Sequence, residues 1–141
     1  MSKTLEAFAK DKGWEVRYRK LRGAQGWCMP AQRVILVDSR LGYGDKISIL
    51  LHEIGHALMV DLPYLQDDTS REFFASLFSL TLAGVFRGEA FREVRHLRRL
   101  GFYERTDNEK QYIISEVNKA VEVTLGWFGF DRVYALGGGR A

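Results

Sequence analysis

The spacing of apolar residues changes period twice along the chain. Over residues 4–12, Leu5, Phe8 and Ala9 fall at helical spacing and Gly13 follows as a stop, which predicts a short helix. From residue 14 to 21 the period drops to two. Trp14, Val16 and Tyr18 alternate with Glu15, Arg17 and Arg19, the pattern of a half-buried strand. Residues 23–26 read as a turn and 27–29 as a short second strand. A further turn at Pro30 leads into an apolar, β-branched strand at 33–37. Three strands joined this closely predict a small antiparallel sheet.

Helical spacing returns at Asp45, a candidate N-cap for a helix running to about residue 60. A polar loop at 61–69 contains Pro63. Ser70 then stands as a candidate cap for a second long helix to about residue 86, broken by Gly88. An Arg-rich helix is predicted over 90–100, closed by Gly101. The last helix spans 108–125, with Ile113, Val117, Ala120, Val121 and Leu125 on one face. In the tail, Trp127, Phe128 and Phe130 are expected to clasp the core, with cleft occlusion or a dimer contact as alternatives. The glycine-rich end at 137–141 is expected to be mobile. The predicted architecture is a single α+β domain over residues 1–141: a small antiparallel β-sheet packed on a helical bundle with a zincin-like active-site helix.

Composition narrows the class. A chain of 141 residues with 46% apolar content fits one domain with a real core and argues against disorder. The longest uncharged apolar stretch, residues 73–86, falls short of the about 20 residues a membrane helix needs. The N-terminal residues are charged throughout and carry no secretory apolar region. One cysteine, Cys28, excludes an internal disulfide framework. A soluble, cytoplasmic protein without membrane contact is expected. The net charge of +3 permits contact with nucleic acid or an acidic partner but supports either only weakly.

The chemistry concentrates in His52-Glu53-Ile54-Gly55-His56, an HExxH pattern inside the first long helix. Histidines four apart differ by roughly 40° around a helix, so both imidazoles leave one face and can share a metal. Neutral imidazole suits zinc, and Glu53 lies beside that face, where its carboxylate can take a proton from water without being a ligand. The flanking apolar residues suit a buried helix, and burying His, Glu and His there is costly unless something binds them.

A catalytic zinc wants three protein ligands. Glu72, sixteen residues past His56 in the first turn of the next helix, is the leading candidate for the third. Ala75, Ser76, Ser79 and Ala83 continue its face, and small residues there let two helices approach closely. Asp61, Asp67, Asp68 and His96 are the competing ligands.

Residues 22–37, followed by Leu50-Leu51-His52-Glu53-Ile54-Gly55-His56-Ala57-Leu58, resemble the ImmA/IrrE-type zinc peptidases. They resemble equally the metallopeptidase domain of ArdC-type antirestriction proteins. In that group a strand precedes the HExxH helix and the following helix opens with a ligand glutamate in an E-x-x-A-[NS]-x-F-[AS] pattern. Glu72-Phe73-Phe74-Ala75-Ser76-Leu77-Phe78-Ser79 matches it. The resemblance covers roughly residues 14–86. It implies zinc on His52, His56 and Glu72, with Glu53 as the catalytic glutamate. The segment after Phe86 matches no pattern of the family.

A zinc metallopeptidase acting on a protein or peptide, by limited proteolysis of one partner, is therefore expected. One rival is a zinc-containing docking protein of antirestriction type, which binds a DNA-associated protein without cleaving it; a second is a zinc-dependent hydrolase acting on a bond other than a peptide bond. The oxyanion donor is open among Tyr64, Tyr103 and His96. A substrate is expected to lie extended along the strand at 33–37. Between Arg87 and Arg99, Arg92, Arg95 and Arg99 form a basic helical face. That face is read either as a phosphate or acidic-partner contact or as a solvated surface with Glu89–Arg92 and Glu93–Arg92 ion pairs. Cys28 is read as a buried structural thiol, with capping of the metal as the alternative. The oligomeric state is not legible.

Overall fold

The computed structural model describes residues 3–60, 62, 65 and 67–130. Helix α1 (Leu5–Asp11) starts at Thr4, whose hydroxyl accepts from the Ala7 amide, and buries Leu5, Phe8 and Ala9. The chain reverses at Gly13, whose φ of 93° suits glycine, and enters β1 (Glu15–Arg19), β2 (Gly26–Met29) and β3 (Val34–Asp38). The fold class is α+β as the pattern predicts, but the sheet is mixed rather than antiparallel. Its order is β1-β3-β2, with β1 parallel to β3 and β2 antiparallel to it. The physical reason is burial. The apolar run Val34-Ile35-Leu36-Val37 suits the central strand, the one covered most completely, so β3 inserts between the two strands that precede it.

Four longer helices complete the fold: α2 (Tyr43–Met59), α3 (Asp68–Phe86), α4 (Phe91–Arg99) and α5 (Asp107–Phe128). Two caps differ from expectation. Gly42, not Asp45, caps α2, and Asp45 joins its first turn, where its charge favours the helix dipole. Asp67, not Ser70, caps α3 by accepting from the Ser70 amide at 2.8 Å. Helix α5 begins with a reciprocal capping box between Thr106 and Glu109.

Helices α2 and α3 run antiparallel, since Gly55 meets Ala75 while the Ser79 hydroxyl donates to the Ser48 carbonyl at 2.8 Å. A Cβ on Gly55 would lie 3.0 Å from Ala75 Cα, so glycine sets how closely the two helices pack. Phe73, Phe74 and Phe78 are fully buried on α3. At about 1.5–3 kcal/mol per buried side chain, they anchor the helix that carries Glu72. The buried core draws on the sheet and on all five helices. The aromatic tail is a clasp in its described part: Trp127 and Phe128 pack on Phe8, and Phe86 receives Phe128 and Phe130. Residues 131–141, with the glycine-rich end, lie outside the described residues. Among the described residues, no helix is long and apolar enough to cross a membrane.

Candidate metal centre

All three histidines of the sequence converge on one carboxylate. His52 Nε2 lies 3.2 Å from Glu72 Oε1, His56 Nε2 lies 2.8 Å from Glu72 Oε2, and His96 Nε2 lies 2.9 Å from Oε1. His52 and His56 leave the same face of α2, Glu72 comes from the first turns of α3, and His96 from α4. Sequence spacing anticipates the first three. His96 is not the surface histidine that its Arg-rich neighbours suggest.

His52, His56 and Glu72 each offer one ligand atom, and these atoms lie within 4.8 Å of one another. Two imidazoles and a carboxylate at this separation suit a borderline-soft divalent cation such as zinc. Of the competing ligands, Asp67 is occupied capping α3, and Asp68 lies toward Arg71 at 3.9 Å. Asp61 and Tyr64 lie outside the described residues. Tyr103 packs against Phe102 and does not line the cleft.

Sequence reasoning misses Glu93. Read as a surface ion-pair partner of Arg92, it is 1% exposed. His52 Nδ1–H donates to Glu93 Oε1 at 2.9 Å, and Glu93 Oε2 accepts from the Ser48 hydroxyl at 3.3 Å. A carboxylate at Nδ1 fixes which imidazole nitrogen faces Glu72 and the metal position. The expected Glu89–Arg92 pair does not form either. Arg92 turns to Asp45 and Gln25, and Glu89 accepts from the Phe91 amide.

Charge follows from these contacts. Burial works against a protonated His52, but the hydrogen bonds to Glu72 and Glu93 raise its pKa to about 10. Burial likewise works against an ionised Glu72, yet hydrogen bonds from His52, His56 and His96 hold it well below the usual carboxylate range. Glu53 has no such set of donors among the described residues, and burial raises its pKa. A carboxylate shifted upward beside one held ionised is the division of labour that a proton acceptor and a ligand need.

Strand β2 walls the same cleft. Gly26 packs on Ile49 and Glu53, and a Cβ there would lie 2.9 Å from Glu53 Oε2. Trp27, Cys28 and Pro30 line the cavity with His52, Glu53, His56 and Glu72. The expectation that substrate adds to the strand at 33–37 fails, because β3 is central and has both edges paired. Among the described residues, the strand with an unpaired edge at the cleft is β2. Cys28 also lines this wall, where burial and the nearby Glu53 charge push its thiol up to about 12.

Compared with known proteins, the chain matches no family model, no curated sequence and no solved structure.

Proposed function

We propose that the protein is a zinc-dependent metallopeptidase, with His52, His56 and Glu72 as ligands and Glu53 as the proton-transferring glutamate. The observation that carries this reading is the convergence of those three ligand atoms in a cleft that also holds Glu53 and an edge strand. The resemblance of residues 14–86 to the ImmA/IrrE-type peptidases supports the same roles. His52, His56 and Glu72 would hold the zinc, which would supply the Lewis acidity for a hydrolytic reaction.

The chain's own residues do the rest. Glu53, its pKa raised by burial, takes the proton from the attacking water and delivers it to the leaving amine. His96 is the only one of the three candidate oxyanion donors found at the cleft among the described residues. Arg99 donates to its Nδ1 at 2.9 Å, which leaves the proton on Nε2, and that N–H donates to Glu72 Oε1 at 2.9 Å, so His96 holds the proposed ligand and must turn from it to reach an oxyanion. The free edge of β2 offers backbone groups to an extended peptide. Gly26 keeps that strand close enough for the peptide to pass beside Glu53.

The test is to incubate zinc-loaded protein with a mixed peptide library and read new termini by mass spectrometry. Cleavage should fall by about 10²-fold or more in Glu53→Gln, while zinc is retained. Absence of cleavage by the wild type, or equal cleavage by the variant, overturns the reading. A biological effect that persists in Glu53→Gln would favour a docking role instead.

A further inference from the structure

The metal position lies between two lobes of unlike chemistry. His52, Glu53 and Glu72 line both. The lobe toward β2, of about 600 Å³, is walled by Trp27, Cys28, Pro30, Met59 and Val60. Its arginine, Arg71, donates to the Leu65 carbonyl at 2.8 Å and lies 3.9 Å from Asp68. The lobe toward α4, of about 400 Å³, is lined by Arg92, Arg95 and Arg99.

We infer that the α4 lobe is a carboxylate-binding subsite, so that the preferred substrate carries an acidic group on that side of the scissile bond. The inference rests on the peptidase reading and names its substrate class. Charge at the lobe decides it. Two of its three carboxylates have other work: Glu72 accepts from three histidines and Glu93 from His52 and Ser48, while Glu53 is buried at the wall of the lobe. None of them pairs with an arginine of the lobe.

The arginines are less fully matched. Arg92 lies 3.4 Å from Asp45 and donates to the Gln25 side chain, but has its Nε buried without an acceptor. Arg99 spends one N–H on His96, a neutral acceptor. Arg95, one helical turn before Arg99, is exposed and has no carboxylate partner among the described residues. Two guanidiniums four residues apart repel when nothing lies between them, and a substrate carboxylate placed there relieves that repulsion through charge-assisted hydrogen bonds. A concave lobe continuous with the catalytic position fits a carboxylate on a threaded peptide better than a phosphate on a broad duplex. The carboxylate can belong to an Asp or Glu side chain or to a peptide C-terminus.

The test uses zinc-loaded Glu53→Gln protein and short peptide hydroxamates, which anchor on zinc whatever their sequence. Calorimetry compares Glu with Gln on either side of the anchor, and a free C-terminal carboxylate with its amide. At low salt one acidic member should bind about tenfold tighter than its amide isostere. The preference should shrink in Arg95→Gln, vanish in Arg95→Gln/Arg99→Gln and turn toward Lys-bearing hydroxamates in Arg95→Glu/Arg99→Glu. Which pair responds separates a side-chain carboxylate from a terminal one. Equal binding of every pair overturns the subsite while leaving the peptidase reading intact. Absence of any hydroxamate binding removes the zinc reading and the subsite with it. Binding of a short DNA duplex that is lost in the same arginine variants, with the hydroxamate pairs indifferent, would assign the arginines to phosphate and overturn the subsite.

Discussion

Glu93 offers the most informative perturbation, because it touches the proposed metal only through His52. Its Oε1 lies 2.9 Å from His52 Nδ1 and the residue is 1% exposed, so water cannot readily replace it. A buried hydrogen bond to a charged group contributes about 1.5–3 kcal/mol. Removing the acceptor behind a metal-binding histidine typically costs 10–100-fold in affinity, or about 1.4–2.8 kcal/mol. Glu93→Ala should therefore weaken zinc binding by about 10–100-fold. Glu93→Gln keeps the volume and one acceptor oxygen but loses the charge, which roughly halves the bond, and should fall between wild type and Ala. Competition titration against a chromophoric chelator measures each Kd, with circular dichroism to show that the variants fold. Glu53→Gln, which changes no proposed ligand, is the control and should bind zinc as the wild type does. A folded Glu93→Ala with wild-type zinc affinity would refute the positioning role.

Three further outcomes are expected. Gly26→Ala presses its methyl group hardest on the buried Ile49 side chain and brings it to 2.9 Å from Glu53 Oε2, so peptide turnover should fall by up to about 10²-fold with zinc content unchanged, read by steady-state kinetics and metal analysis with urea unfolding to show that the variant folds. Gly55→Val inserts bulk where even a Cβ lies 3.0 Å from Ala75 Cα, and should cost about 1–3 kcal/mol in urea unfolding; an unchanged midpoint would show that α3 is free to move away. Asp38 is held to about 2 by hydrogen bonds from the Arg40 side chain and backbone. Because that lies below the about 3.9 of an unfolded aspartate, its stabilisation is present above about pH 4 and lost as pH falls toward about 2. Asp38→Asn should flatten that acid limb of the stability curve, and an unchanged limb would contradict the assignment.

Much of this site is legible in the chain because its central parts are local. His52, Glu53 and His56 share one helical face by spacing alone, and Glu72 opens the next helix with small residues beneath it. Residues arriving from α4 are not local, and their neighbours disguise them. Arg92, Arg95, Arg98 and Arg99 make the segment look like a solvated basic surface, which conceals Glu93 and His96. One signal was present: Glu93, Leu97 and Leu100 fall at i, i+4 and i+7, which puts a carboxylate on the apolar stripe. The direction of β1 was hidden for another reason. Alternation reports which face of a strand is buried but carries no information on strand order. The apolar run of β3 was the available hint that it occupies the centre.

The most direct measurement is metal content by mass spectrometry after zinc loading and desalting, for the wild type and for Glu72→Ala. About one zinc per chain in the wild type, lost or sharply reduced in the variant, is the predicted result. Full zinc occupancy without Glu72, or no zinc in the wild type after reconstitution, would contradict a metal centre built from His52, His56 and Glu72.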